Sequence, residues 1–269
     1  MKVGIFINTT KSEANTTASA FGSALIENGI EYKIVNLKED CKGIDVIAVF
    51  GGDGTILRVV DYALEFGIPI LAINIGTVGF LSCLESSELN EAVELIKNSN
   101  EFDKRSVMRV TVADKTYYAL NEALVQRCSA NVSMNEVAKL SLSIGGSFVD
   151  KYYADGLIIS TPTGSTAYSL SCGGSIMTPD ISAFIATPVC AHSLHSRPIV
   201  YGDSNTAKIS LLENSCKCAL YIDGKFIKNL KSSDVVEVSR SRRMIKFYKT
   251  QDNFFEKLLI KLNKWSETK

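Results

Sequence analysis

Gly51-Gly52-Asp53-Gly54-Thr55 sets one carboxylate inside a loop that has three glycines in four residues. Glycines let the backbone take positive φ and approach a ligand without Cβ clashes. The loop follows an apolar run, Ile44-Asp45-Val46-Ile47-Ala48-Val49-Phe50, and precedes a helical pattern. Its N–H groups therefore fall at a helix N-terminus, an arrangement that suits phosphate. A pure phosphate cradle would avoid Asp53, which repels the anion, so the acid must hold a metal or accept a proton. The loop is neither common nucleotide fingerprint. No Gly-x-x-x-x-Gly-Lys-Ser/Thr is present, and Leu57 stands where Gly-x-Gly-x-x-Gly needs its third glycine.

A second stretch begins at Asp155-Gly156-Leu157-Ile158-Ile159 and runs into a segment in which seven of the twelve residues from Ser160 to Ser171 are Ser or Thr. A linker would not open on a buried Leu-Ile-Ile strand or carry Tyr168 and Leu170. Short hydroxyl side chains beside Gly and Pro offer many donors at close range, as a polyhydroxyl or phosphate ligand requires. Arg58, three residues after Thr55, has the charge to reach a phosphate or else lies on a solvated helix face. Cys190, His192 and His195 spell Cys-x-His-x-x-His without a fourth ligand, which disfavours zinc.

These residues need elements to hold them. Lys2–Asn8, Glu31–Leu37, Ile44–Phe50 and Ile68–Ile75 are expected strands. Lys11–Asn28, Thr55–Glu65 and Ser86–Lys97 are expected helices. Alternation with continuous apolar strands implies a parallel sheet covered on both faces. Two glycine loops, 51–55 and 76–80, would then share the carboxyl edge where open α/β sheets place ligands. From about residue 101 the strands become short and alternating, at Met108–Ala113, Thr116–Leu120, Val137–Ile144, Lys151–Tyr153, Leu157–Ser160, Lys208–Leu212, Ala219–Ile222 and Val235–Val238, which is antiparallel texture. The expected fold class is an α/β N-terminal domain with a parallel sheet (1–100) followed by a β-rich C-terminal domain (101–269). An amphipathic helix, Phe254 to Trp265, packs back with basic residues late in it.

The 269 residues carry 29 basic and 29 acidic side chains, so no net field draws the protein to nucleic acid or anionic membrane. No apolar run approaches a membrane span, the N-terminus lacks a signal-peptide layout, and the expected compartment is the cytoplasm. Seven cysteines are scattered without a Cys-x-x-Cys pair, which fits reduced thiols that mostly fill the core.

Gly51-Gly52-Asp53-Gly54-Thr55 resembles a signature shared by NAD kinases, lipid kinases and, more loosely, phosphofructokinases. Joined to Asn121-Glu122, to Asp155-Gly156 with Ser160-Thr161-Pro162-Thr163-Gly164-Ser165-Thr166-Ala167-Tyr168, and to Cys190 through Pro198, the chain resembles the NAD kinase family in order and spacing over residues 1 to 250. That resemblance implies phosphoryl transfer from ATP or polyphosphate to the 2′-hydroxyl of the adenosine ribose of NAD, with Mg²⁺ accompanying ATP. Asp53 would be the proton acceptor or a Mg²⁺ ligand, and Gly52, Gly54, Thr55 and Arg58 would surround it. Asn121 and Glu122 would meet the adenine and ribose. Thr163, Thr166, Ala167, Tyr168, Ser169, Leu170 and Ser171 would line the NAD pocket, with Tyr153 and Asp155 at the nicotinamide end. The family's usual assembly implies a homotetramer or homodimer, with Asp155 at a subunit contact. The alternatives are a lipid or other small-alcohol kinase and a non-catalytic NAD(P) sensor. The family commonly has Pro where Ala191 stands and a basic residue where Tyr153 stands. With tyrosine there, no opposing charge is expected beside Asp155, whose carboxylate would favour NAD⁺ over NADH.

Overall fold

The computed structural model describes residues 1–76, 79–128, 137–193, 195–250 and 253–267, with side chains described as far as 263. Thr77 and Val78 of the second glycine loop, and Leu194, lie outside the described residues.

The chain opens as β1 (Lys2–Ile7), α1 (Ser12–Glu27), β2 (Glu31–Ile34), β3 (Val46–Gly51), α2 (Asp53–Phe66), β4 (Ile70–Asn74), β5 (Leu84–Glu85) and α3 (Leu89–Asn98). Strands β2, β1, β3 and β4 lie in that order and all pair in parallel. Every residue of β3 and β4 is buried, as a sheet covered on both faces demands. Phe21 of α1 packs on Phe50 of β3 with ring centroids 5.5 Å apart. Helix α2 buries Thr55, Ile56, Val59, Val60, Ala63 and Leu64, a spacing of three and four residues that forms one face. It ends at Gly67, whose φ of 68° is the left-handed cap.

Twelve strands follow: β6 (Phe102–Val112), β7 (Lys115–Ala119), β8 (Glu122–Arg127), β9 (Ala138–Ile144), β10 (Ser147–Ala154), β11 (Gly156–Ser160), β12 (Ala183–Val189), β13 (Ile199–Gly202), β14 (Ala207–Leu211), β15 (Cys218–Ile222), β16 (Lys225–Asn229) and β17 (Val235–Tyr248). Between β11 and β12 come a 3-10 turn, Thr163–Thr166, and α4 (Tyr168–Ser171); α5 (Phe254–Glu267) ends the chain. One antiparallel sheet has the order β13-β12-β11-β8-β15-β16, and β10-β9-β14-β17 form a second series. The core between them is built from inward positions such as Leu140, Leu142, Tyr152, Leu157, Ile159, Phe184, Leu220 and Val236.

Contacts divide the chain into one unit of Met1–Lys104 with Met244–Lys269 and a second of Arg105–Arg243. The final 26 residues thus belong with the N-terminal α/β unit, whereas the sequence pattern assigns all of 101–269 to the β-rich part. Phe247 pairs with Ile70 of β4, and the Phe102 ring meets Tyr248 at 5.2 Å. Strand β17 runs ten residues past the expected Val238 because Arg240, Arg242 and Arg243 interrupt its apolar alternation. Strand β12 is buried throughout but contains Pro188, which disguises it; Pro188 lies beyond Ala183–Ala186, the residues that β13 pairs. No helix among the described residues is long and apolar enough to cross a membrane.

Candidate active site

In the first unit, β3 delivers Gly51 to the sheet edge beside Asn74. Gly52 is the extended N-cap of α2, with no side chain capping the helix, and Asp53 is its first residue. A carboxylate in the first turn faces the positive end of the helix dipole. Added Cβ atoms at Gly52 and Gly54 would meet nothing within 4 Å, so this face of the loop stands open to a ligand. Buried Thr55 packs under the loop against Gly51. Arg58 is exposed, its guanidinium 5.0 Å from the centre of the Phe6 ring.

The second glycine loop closes onto Asp53. The Phe80 N–H donates to Oδ2 at 3.0 Å and the Leu81 N–H to Oδ1 at 3.1 Å. A Cβ at Gly79 would collide with the carboxylate, so glycine is what allows this approach. The shared edge expected for the two loops is thus realised through residues 79–81. The Lys261 ammonium of α5 lies 3.2 Å from Oδ2, and Lys11 Nζ donates to the Ile75 carbonyl at 2.5 Å. Asn74 is fully buried; its amide nitrogen donates to Glu85 and the Gly76 carbonyl, while its Oδ1 has no partner.

In the second unit, Asn121 and Glu122 follow β7, and Glu122 opens β8. Asp223, in the β15–β16 turn, accepts N–H groups from Leu120 at 2.8 Å, Asn121 at 2.8 Å and Glu122 at 3.0 Å. Burial pushes the Asp223 carboxyl up, against the pull of those three donors. Burial, and then the Asp223 charge, push Glu122 from 4.5 up to about 8. Glu122 Oε2 is buried without a partner among the described residues, and burial beside the Asp223 charge favours its protonated form near neutral pH.

The hydroxyl-rich run sits against the same backbone. Thr161 N–H and Ser160 Oγ donate to the Asn121 carbonyl at 2.9 and 3.2 Å. A Cβ at Gly164 would strike the Asn121 backbone. Several hydroxyls expected to face a ligand are spent inside: Ser165 bonds the Pro162 carbonyl at 2.6 Å, and Ser169 is fully buried, 2.8 Å from Thr187 Oγ1. Next to Gly and Pro, a tight turn satisfies its own backbone with these groups. Thr163 Oγ1, like Glu122 Oε2, is buried with no partner among the described residues. Orphaned buried acceptors and hydroxyls of this kind are places for a ligand's polar groups. Thr166 is buried with its hydroxyl on the Thr163 carbonyl at 3.3 Å, while Ala167 and Leu170 are half-buried and Tyr168 and Ser171 exposed.

Asp155 does have an opposing charge, contrary to expectation: Arg127 Nε lies 2.8 Å from its Oδ1. The cation comes from neighbouring β8, whose Gln126 pairs with Gly156, and not from position 153. Tyr153 is exposed at the end of edge strand β10, and its carbonyl accepts the His192 N–H at 2.9 Å. Asp223, Arg127 and Lys261 are the candidate site residues that sequence reasoning missed, whereas Gly79 falls within the second glycine loop, 76–80, expected at this edge. Asp223-Gly224 left a trace as a hairpin dipeptide.

The family model for the ATP-NAD kinase N-terminal domain matches residues 4–102, and that for the ATP-NAD kinase C-terminal domain matches residues 120–250. The chain is 35% identical to an NAD kinase of Caldicellulosiruptor bescii over 97% of its own length and 99% of the relative's. It is 34% identical to an NAD kinase of Methanothermobacter thermautotrophicus, over 97% and 96%. Its fold matches a yeast NADH kinase complexed with NADH at a TM-score of 0.84 and 23% identity, covering 94% of this chain and 84% of that one. It also matches an NAD kinase from Archaeoglobus fulgidus in complex with ATP at 0.81 and 24%, covering 96% and 98%.

Proposed function

The chain belongs to the NAD kinase family, and we propose that it carries out that family's reaction with Asp53 as the acceptor of the hydroxyl proton. The 2′-oxygen of the adenosine ribose bonds to the γ-phosphorus of ATP as the bond to the bridging oxygen breaks. ADP departs with that electron pair, and NADP remains. The observation that carries this assignment is Asp53 itself, fixed by two backbone N–H groups at the start of α2 beside the open Gly52 and Gly54. A loose phosphoryl-transfer transition state asks for positioning and charge stabilisation, with proton removal late.

Asp53 also fits a magnesium ion brought by the nucleotide. Such an ion takes one or two carboxylates plus phosphate oxygens, and among the described residues no three His, Cys, Asp or Glu side chains converge into a cage of their own. When bound it would neutralise phosphate charge.

The second unit supplies the dinucleotide grip. Protonated Glu122 and Asn121 meet the adenosine part, Thr163 offers its unpaired hydroxyl, and Thr166, Ala167, Tyr168, Leu170 and Ser171 form the wall. Ser169 supports that wall from behind through Thr187. Asp155 and Arg127, with Tyr153, face the nicotinamide end. The working assembly is a homo-oligomer, a reading supported by β10, an edge strand that exposes Phe148 (63%) near its start and Tyr153 (42%) at its end, two residues before Asp155. Cytoplasmic placement is supported by cysteines that stay free thiols.

The test is to incubate purified protein with NAD, Mg²⁺ and either ATP or polyphosphate and to assay NADP. Formation of NADP with ATP is expected; none with either donor refutes the reading.

A further inference from the structure

Helix α5 brings a cation to the carboxylate on which the proposed reaction depends. Lys261 Nζ lies 3.2 Å from Asp53 Oδ2 and 4.3 Å from the centre of the Phe80 ring. Only 18% of its side chain is exposed. Two earlier residues on the same helix face anchor it. Lys257 Nζ donates to the Ser82 carbonyl at 2.6 Å, and the Phe254 ring lies 6.3 Å from that of Phe80. Positions 254, 257 and 261 are three and four residues apart, so one stripe of α5 makes all these contacts. An exposed lysine loses side-chain entropy when it is fixed in an ion pair; here the helix and the Phe80 ring have already ordered it.

Among the described residues three donors hold the Asp53 carboxylate, and two of them are backbone groups that stay in place. The third is Lys261, and it occupies the oxygen already shared with Phe80 N–H. With Phe80 N–H and Lys261 both on Oδ2, the two lone pairs of that oxygen are engaged, and departure of Lys261 frees one for a hydroxyl proton. The open face at Gly52 and Gly54, at the positive end of α2, is where the donor's phosphates would lie, and an ammonium beside it has a stronger anion to follow.

We propose that Lys261 is a catalytic residue of the phosphoryl transfer. It pairs with Asp53 in the ligand-free protein and moves to the oxygens of the transferred phosphoryl group when the donor binds. The move releases Oδ2 for the 2′-hydroxyl proton and places positive charge where the transition state gathers negative charge. Lys261 keeps its protons throughout; the only proton that moves goes from the 2′-hydroxyl to Asp53. The inference rests on the reading of Asp53 as the proton acceptor of this reaction.

Lys261→Met keeps an apolar stem against Phe80 and removes the charge, while Lys261→Arg keeps the charge. The measurements are kcat, the KM for ATP and for NAD, the melting temperature, and equilibrium binding of inorganic tripolyphosphate with Mg²⁺. In the Met variant kcat should fall by about 30-fold or more and tripolyphosphate should bind about tenfold more weakly, with the KM for NAD within about twofold. Melting should stay within about 2 °C, because one partly exposed ion pair contributes little. The Arg variant should recover most of the tripolyphosphate affinity. Unchanged or faster turnover in the Met variant would overturn the proposal, since Lys261 would then only lock Asp53. So would unchanged tripolyphosphate binding accompanied by a lower melting temperature, the signature of lost packing. If the wild type makes no NADP, the reaction assignment fails. The tripolyphosphate comparison still decides on Lys261, weaker binding in the Met variant supporting its phosphate contact and equal binding overturning it.

Discussion

Arg127, the last residue of β8, and Asp155, just before β11, form an ion pair, Nε to Oδ1 at 2.8 Å, with 34% and 29% of their side chains exposed. Both charges are wet, so the guanidinium tempers the field of the carboxylate without cancelling it.

The oxidised nicotinamide ring carries a positive charge that the reduced ring lacks, so a pair at the proposed nicotinamide end would set a balance between NAD⁺ and NADH. Arg127→Met leaves Asp155 unopposed and should raise the ratio of kcat/KM for NAD⁺ over NADH about three- to tenfold, a gain on the order of 1 kcal/mol. Asp155→Asn should lower the ratio by a similar factor. The two ratios, measured at low and high salt, check this; equal ratios in both variants would mean that neither charge senses the ring.

Gly79→Ala is expected to harm catalysis more than folding. Its methyl group would press on the Asp53 carboxylate, a rigid obstruction because Phe80 and Leu81 N–H groups hold both oxygens. Displacing a catalytic group by about 1 Å can lower turnover on the order of a hundredfold. Turnover measured beside a thermal melt separates the two effects, and a variant with wild-type kcat would contradict the placement.

Asp53→Asn should lower turnover by orders of magnitude, because the amide neither accepts the proton nor attracts a cation. The structure adds a stability cost. An amide NH₂ must then face either the Phe80 or the Leu81 N–H, which costs about 1–2 kcal/mol. A fall in melting temperature by several degrees with NAD binding retained is the expected pattern.

The legible parts of this fold were those written in consecutive residues. Strand β3, its glycine loop and α2 show as an apolar run, three glycines and a helical stripe, and the Asp53 loop follows from them. Strand β8 was hidden because Asn121-Glu122 looks like the polar end of the preceding strand, although both side chains are buried. Their backbone N–H groups are held by Asp223, about a hundred residues away, and no local pattern encodes that contact. Lys261 was visible only as a basic residue late in an amphipathic helix, a position that the helix dipole already explains. Its partnership with Asp53 arises from tertiary packing of α5 on Phe80. The hydroxyl-rich run misled in the other direction, since side-chain oxygens that satisfy a turn and those that await a ligand have the same residue types.

Glu122 makes folding depend on pH. Its carboxyl is raised from 4.5 to about 8 by burial and by Asp223, so the folded protein binds the proton more tightly than the unfolded chain does. The stabilisation this provides is complete below pH 4.5 and is lost as pH rises through about 8. Above that point an unpartnered carboxylate is ionised inside the second unit. Melting temperature should therefore fall between about pH 5 and 9 in the wild type. Glu122→Gln, which cannot ionise and has nearly the same shape, should flatten that fall while leaving the part due to Asp223. A parallel decline in wild type and variant would show that Glu122 is already ionised near neutral pH, and its assignment as a protonated partner of the ligand would have to be withdrawn.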